Sequence, residues 1–179
     1  FVRIDMEDTP VTDRTLAIYR RLRAEFPNCG VVIQAYLYRS ESDIRSLMDQ
    51  GMAHLRLCKG AYDEPPEVAY QEKKDVDGNM VRLIQLMLDT LDTFPGTYPA
   101  VASHDHRVIN WVKAYAYHHR ISTERFEFQM LYGIRRDLQQ TLANQGYKMR
   151  VYIPYGTRWY PYFMRRLAER PANLVFFLR

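Results

Sequence analysis

The chain has 179 residues, of which 47% are hydrophobic and 26% charged, with a formal net charge of +4. This balance excludes a disordered chain, and the length suits one domain. Basic and acidic residues are mixed along the sequence, so no basic tract predicts nucleic-acid binding, and the mild excess favours an anionic ligand only weakly. No apolar run approaches the roughly 20 residues that span a bilayer. Two cysteines outside any CxxC pair fit a reduced, cytosolic setting.

Short apolar runs alternate with amphipathic stretches along the chain. The predicted strands are Val2–Met6, Gly30–Leu37, Ala53–Cys58, Ala100–Ser103, Phe126–Leu131 and Arg150–Pro154. The predicted helices are Asp13–Phe26, Ser42–Gln50 with Ser42 as its cap, Met80–Leu91, Arg107–His119, Arg135–Gln145 ending at Gly146, and Pro161–Arg170. The polar segment Tyr62–Asn79 interrupts the alternation of strands and helices. A long insertion after a strand predicts an active-site loop.

The unbroken alternation of strands and helices predicts a parallel α/β fold, and periodicity alone allows both an open doubly wound sheet and a TIM barrel. Each predicted strand ends in polar groups: Asp5, Gln34, Arg56 with Lys59, His104 with Asp105, Gln129, and Tyr152. Strand ends converge on one mouth in a closed barrel, where six contributing strands are natural. The GxGxxG signal of a dinucleotide-binding open sheet does not occur. The sequence therefore favours the barrel.

Two basic segments are candidates for ligand binding. Arg165 and Arg166, adjacent in YFMRRLAER, could clamp a carboxylate, whereas a solvated basic helix face with Glu169 as ion-pair partner is the alternative. In RLCKGAY, Gly60 would let the backbone approach a ligand closely, and Arg56 would point inward. An ion pair between Arg56 and Asp5 is the alternative, and it is compatible with ligand binding because a buried arginine needs a partner.

Histidines and tyrosines give weaker signals. His104 and His106 flank Asp105, but no HExxH or CxxC spacing occurs, so we expect a hydrogen bond from His104 to a cofactor rather than a metal site. Asp5 could act as a general base. Tyrosines crowd the last forty or so residues, where they could wall off a substrate or a flavin. Core packing is an equal alternative, and single-stranded nucleic-acid binding is disfavoured by the modest charge.

Seven segments in order give the chain a resemblance to the proline dehydrogenase family, and in particular to its monofunctional bacterial members. They are RIDMED, VVIQAYL, RLCKGAYDEP, ASHDH, FEFQMLYG, RVYIPYG and YFMRRLAE. The resemblance implies a (β/α)8 barrel with non-covalent FAD that oxidises L-proline to Δ1-pyrroline-5-carboxylate and passes electrons to a membrane quinone. It implies a cytoplasmic location, with peripheral association at the inner membrane left open.

The resemblance also implies a role for individual residues. Arg165 and Arg166 would hold the proline carboxylate, Tyr152 and Leu131 would border the proline ring, and Tyr162 would pack against it. Asp5 and Arg56 would occupy active-site positions, with Arg56 near the flavin N5 side. The residues expected to contact FAD are Met6, Gln34, Arg56, Lys59, Gly60, Ala61, Ser103 and His104.

Counted against the family, Val2–Met6 would be the third barrel strand, so the chain would hold the last six βα units. The first two units, which include a lysine that also contacts the substrate carboxylate, would precede Phe1. We therefore expect an incomplete barrel that folds poorly alone or is part of a longer protein. The alternatives are another TIM-barrel enzyme with a phosphate-bearing cofactor, and a non-enzymatic scaffold or inactive truncated barrel.

Overall fold

A computed structural model describes residues 1–157 together with Tyr160 and Met164. Its strands are β1 (Val2–Ile4), β2 (Cys29–Gln34), β3 (His54–Cys58), β4 (Tyr98–Ala102), β5 (Glu127–Leu131) and β6 (Met149–Tyr152). Its helices are α1 (Thr9–Glu25), α2 (Ser40–Asp49), α3 (Lys73–Asp89), α4 (His106–His118) and α5 (Arg136–Asn144), with a 3₁₀ turn at Thr123–Arg125. The predicted helix Pro161–Arg170 lies outside the described residues.

The six strands form one parallel sheet in the order β1-β2-β3-β4-β5-β6, so each strand pairs with its neighbours in the chain. This order confirms the predicted alternating α/β fold. The sheet curls as an incomplete barrel, and β1 and β6 are its two edges within the described residues. Among the described helices, none combines the length and the apolar character needed to cross a membrane.

Side chains of alternate residues point to opposite faces of the sheet. The outer face is apolar and packs against the helices in one continuous core. Its fully buried strand residues include Val31, Ile33, Leu55, Leu57, Val101, Phe128 and Met130. The inner face carries Arg3, Asp5, Gln34, His54, Arg56, Tyr98, Glu127, Gln129, Leu131, Arg150 and Tyr152. We use "outer face" and "inner face" in this sense below.

Small residues on the inner face let long side chains cross a whole strand. Arg3 on β1 passes over Gly30 and donates to the His54 carbonyl of β3 at 3.0 Å. A Cβ on Gly30 would lie 2.7 Å from that carbonyl oxygen and 2.9 Å from Arg3 Nη1, so a larger residue cannot fit unless its neighbours move. Arg56 on β3 likewise passes over β4, where its neighbour in register is Ala100, to reach β5.

Several predicted boundaries were wrong, each for a local reason. The Tyr62–Asn79 segment is not a loop throughout, because α3 begins at Lys73, and its polar first turns are stabilised by an ion pair between Lys73 and Asp77 at 2.6 Å. Helix α1 begins at Thr9 rather than Asp13, with a proline in its first turn. Ser42 does not cap α2, which begins at Ser40.

Two strands, β2 and β4, lie earlier in the chain than predicted. β2 ends at Gln34, because the Leu37 N–H donates back to the Gln34 carbonyl and turns the chain away. β4 begins at Tyr98, two residues before the predicted start. By contrast, the predicted end of α5 is confirmed. Gly146 has a φ of +79° and donates to Ala143, which completes a left-handed helix end.

Candidate functional site

The centre of the candidate site is Arg56, on the inner face of β3. Its Nη1 donates to Asp5 Oδ1 at 2.6 Å, and its Nε donates to Gln129 Oε1 at 2.6 Å. The guanidinium carbon lies 5.7 Å from the centre of the Tyr152 ring, a cation–π distance. The ion pair between Arg56 and Asp5, which the sequence offered as an alternative compatible with ligand binding, is present. Residues of β3, β5 and β6, together with Asp5 just beyond β1, meet at this one guanidinium.

Two residues expected to border the substrate lie beside each other at the ends of β5 and β6. Leu131 and Tyr152 are partners in the parallel register. The Leu131 N–H donates to Nε2 of His104 at 2.9 Å, so in the neutral imidazole the proton is on Nδ1. His104 therefore fixes the end of β5 with one nitrogen. Its expected hydrogen bond to a cofactor remains a prediction.

Lys59 lies just beyond β3 between two carboxylates from different elements. Its Nζ is 2.5 Å from Asp77 of α3 and 3.3 Å from Asp105, which precedes α4. The same carboxylates bind Lys73 and Arg107, so three cations share two anions at this part of the mouth. These five side chains together carry one more positive than negative charge, which would suit an anionic ligand.

The carboxylates of this cluster stay ionised. Hydrogen bonds from Arg107 hold the pKa of Asp105 far below its usual value, although burial by itself would raise it. Lys59 lowers the pKa further. Burial by itself raises the pKa of Asp77, but hydrogen bonds from Lys59 and Lys73 outweigh it and lower the pKa. Both groups can therefore anchor the Lys59 ammonium at neutral pH.

Segments predicted to contact a cofactor line the ends of β1, β2 and β4. Met6 and Gln34 are buried, and Gln34 Oε1 is a buried acceptor that receives no hydrogen bond from the described residues. Ser103 is buried too, and its Oγ accepts the Asp105 N–H at 3.1 Å. Met6 packs in the hydrophobic core, and the contact of all three residues with a cofactor remains a prediction.

Gly60 and Ala61 begin the segment that joins β3 to α3. Gly60 has a φ of +110°, and an added Cβ would lie 2.4 Å from the Tyr36 ring, so only glycine fits there. Ala61 is exposed. The glycine therefore lets the Tyr36 ring pack on the backbone, which the sequence did not reveal.

The rest of this segment is tied to the ends of β1 and β2. Tyr70 N–H donates to the Tyr36 carbonyl at 2.8 Å. Glu64 is buried and accepts the Thr9 N–H at 2.6 Å, so it caps α1 from a distance. The segment is consequently held in place at the strand ends, which agrees with its predicted position.

Gln129 and Glu127 are the functional candidates that the sequence reasoning missed or undervalued. Both face inward from β5, are nearly fully buried and are hydrogen bonded to each other. The run FEFQML predicts a buried strand, and that prediction assigns no role to its glutamate. Its polar residues at alternate positions are the signal that could have identified them.

Three predicted substrate-binding residues, Tyr162, Arg165 and Arg166, lie outside the described residues, as does Glu169. Within the described part of the chain, no cluster of three or more histidine, cysteine, aspartate or glutamate side chains is arranged to hold a metal ion.

Comparisons with known proteins identify the family. A family profile described as "Proline dehydrogenase" matches residues 1–179. "Proline dehydrogenase 1" of Bacillus subtilis (strain 168) is 51% identical over 178 residues, covering 99% of this chain and 57% of that protein. "Proline dehydrogenase" of Deinococcus radiodurans is 49% identical over 178 residues, covering 98% of this chain and 56% of that protein. The chain thus spans little more than half the length of these relatives.

A solved structure agrees with the sequence relatives. The proline utilization A protein of Bdellovibrio bacteriovorus, inactivated by N-propargylglycine, superposes with a TM-score of 0.84 at 34% identity. The match covers 93% of this chain and 20% of that one. Sequence profile, relatives and fold point the same way, and the chain belongs to the proline dehydrogenase family.

Proposed function

We propose that this chain carries the substrate and cofactor site of an enzyme that oxidises L-proline to Δ1-pyrroline-5-carboxylate, the first step of proline catabolism. FAD is the proposed cofactor, and a membrane quinone is the proposed final electron acceptor. The observation that carries the proposal is the Arg56 guanidinium, held by Asp5 and Gln129 beside Tyr152 in a chain of this family.

We place the six strands in an eight-stranded (β/α)8 barrel. The sequential parallel order supports this, because an open doubly wound sheet reverses its strand order at a switch point. The inner face supports it as well, since charged side chains there cross neighbouring strands as they do in the filled interior of a barrel. The proposed two additional βα units would lie between the edges β1 and β6.

The residues at the strand ends fit a flavin nucleotide. Gln34 presents a buried acceptor with no donor among the described residues, which suits an N–H group of a flavin ring. Arg56 is a fixed donor, and the excess positive charge around Lys59 suits phosphate. FAD, when bound, would accept a hydride from the substrate. We propose Met6, Gly60, Ala61, Ser103 and His104 as its further contacts, from the family resemblance.

The proposed substrate is a zwitterion, and this chain offers a group for each of its parts. Arg165 and Arg166 would clamp the carboxylate bidentately, because a planar guanidinium matches the geometry of a carboxylate. Leu131 and Tyr152, paired at the ends of β5 and β6, would border the apolar ring, with Tyr162 packed against it. Positioning the substrate contributes more to hydride transfer than a strong acid or base does.

Asp5 and Arg56 are the proposed catalytic residues, and they act as a pair. Asp5 accepts from Arg56 and holds that charge on the inner face of β3, where it would stabilise the negative charge of a reduced flavin. A cytoplasmic location, peripheral contact with the inner membrane and the quinone acceptor are part of the proposal through the family resemblance alone.

Proline-dependent reduction of a quinone analogue by the full-length, FAD-loaded protein tests the proposal. We expect Arg165→Ala and Arg166→Ala to raise the KM for proline about tenfold to a hundredfold, the effect of a lost charge-assisted hydrogen bond. Arg45→Ala is the matched control, because Arg45 lies exposed on α2 and pairs with Glu41. An unchanged KM in both site variants would contradict the clamp, and a protein that binds no flavin would favour an inactive barrel.

A further inference from the structure

Polar side chains of the inner face form a continuous chain of hydrogen bonds away from Arg56. Gln129 accepts from Arg56 Nε through its Oε1 at 2.6 Å and donates from its Nε2 to Glu127. Glu127 in turn accepts from Nε and Nη2 of Arg150 at 2.8 and 2.9 Å. This series of hydrogen bonds therefore connects Arg56 in the candidate site to Arg150 on β6.

Glu127 determines which way the Gln129 amide faces. Burial by itself raises the pKa of Glu127, but hydrogen bonds from Arg150 and Gln129 outweigh it and hold the pKa below its ordinary value. An ionised carboxylate can only accept hydrogen bonds. The NH₂ group of Gln129 must therefore face Glu127, and its carbonyl oxygen must face Arg56.

Burial makes this orientation hard to reverse. Gln129 is 4% exposed and Glu127 is 3% exposed, so water cannot replace either partner. A flipped amide would set two acceptors, the amide oxygen and the carboxylate, against each other, and would aim NH₂ at a guanidinium that has no acceptor. The orientation of Gln129 is consequently fixed by charge as well as by packing.

The oriented amide in turn fixes the guanidinium plane of Arg56. One partner alone would leave the guanidinium free to rotate about its hydrogen bond, and the Asp5 side chain is 53% exposed. Gln129 adds a second, buried anchor on Nε. Two anchors from different strands define the plane and leave the remaining N–H groups of Arg56 with a set direction.

We propose that Gln129, oriented by Glu127, is a positioning residue that sets the guanidinium of Arg56 for the reaction at the strand ends. The inference rests on the proposed function for its effect on catalysis. It assigns Gln129 no contact with substrate or cofactor, because its action passes through Arg56.

Exchange of the Arg56 Nε–H proton with water tests the positioning without any need for activity. In the full-length, ¹⁵N-labelled protein, the signal is assigned by its loss in Arg56→Lys. We expect Gln129→Met, which keeps the volume but removes the acceptor, to speed exchange about tenfold or more, as the loss of a charge-assisted hydrogen bond implies.

Two further variants complete the exchange experiment. Glu127→Gln removes the acceptor-only partner, so the Gln129 amide can flip and exchange should speed by a smaller factor. This variant also judges the proposal if Gln129→Met does not fold. Gln140→Met is the control, because Gln140 lies exposed on α5 with Asn144 as its partner, and exchange at Arg56 should be unchanged. Unchanged Arg56 exchange in a folded Gln129→Met or Glu127→Gln protein overturns the proposal.

A double-mutant cycle on proline oxidation tests the route through Arg56. Gln129→Met alone should lower kcat/KM about tenfold to a hundredfold, as small displacements of catalytic groups do. In the Arg56→Lys background it should cause no further loss, whereas independent, additive losses overturn the proposal. If the wild-type protein does not oxidise proline, the proposed function fails while the exchange experiment still decides the positioning.

Discussion

The two faces of the sheet are built by the same six strands and differ in almost every physical respect. Phe128 on the outer face is fully buried against helix side chains, whereas its neighbour Gln129 on the inner face is buried among charged and polar groups. Apolar burial on the outer face is non-directional and tolerates changes of neighbour. Hydrogen bonds on the inner face are directional, so each partner fixes the next. The outer face therefore stabilises the fold, and the inner face specifies the site.

The largest effect that this comparison predicts is on the outer face. Phe128→Ala should lower the free energy of unfolding by about 3–5 kcal/mol, because it removes a fully buried ring and leaves a cavity. Urea unfolding followed by circular dichroism measures the change. Tyr117→Ala is the control, since the Tyr117 side chain is exposed. If the free energy of unfolding falls no more than in the control, packing of the outer face is not a main source of stability.

A second prediction concerns the space that the inner face reserves for arginine. Gly30→Ala should lower the free energy of unfolding by about 1–3 kcal/mol, the usual effect of overpacking, because the new methyl group would displace Arg3 from the His54 carbonyl. Gly78→Ala is a matched control, since a Cβ there meets nothing within 4 Å among the described residues. Equal changes in the free energy of unfolding for the two substitutions would show that the passage of Arg3 over Gly30 does not contribute to stability.

The third prediction uses the acid sensitivity of the inner face. Burial, together with the positive charge of Arg3, lowers the pKa of His54 from 6.5 to about 4. Below about pH 6.5 the unfolded chain binds a proton that native His54 does not, so stability should fall as the pH drops from 6.5 towards 4. In His54→Gln, the free energy of unfolding should fall by about 1–2 kcal/mol less between neutral pH and pH 5 than in the wild-type protein.

Denaturant unfolding at several pH values between neutral and pH 4 measures this effect. His118→Gln is the control, because His118 is exposed at the end of α4. An identical pH dependence for His54→Gln and the wild-type protein would contradict the assignment of a neutral, partly buried imidazole to the inner face.

Within the described part of the chain, the order and type of the strands and α-helices could be predicted, because strand-length apolar runs and helical periodicity are local signals. The sequence was insufficient where a segment is stabilised from elsewhere. The first turns of α3 are polar, so periodicity could not reveal them, and α1 begins at Thr9, whose N–H is bound by the distant Glu64. A partner so far away in the sequence cannot be predicted from a local sequence pattern.

The same distinction holds for the candidate site. The pairing of Arg56 with Asp5 was predictable, since an inward arginine needs a partner and an acidic side chain follows the neighbouring predicted strand. The role of Gln129 was not, because it depends on Arg56 crossing β4 above Ala100, a consequence of register. Alternation in FEFQML could have shown that Glu127 and Gln129 share one face, but not what they contact.

The most direct test of the central claim is an anaerobic titration of the full-length, FAD-loaded protein with L-proline, followed by the visible absorbance of the flavin. We expect proline to bleach the flavin of the wild-type protein, and Arg56→Lys to slow the bleaching although FAD is still bound. A wild-type flavin that stays oxidised in the presence of excess proline would contradict the claim that the inner face at the strand ends is a proline-oxidising site.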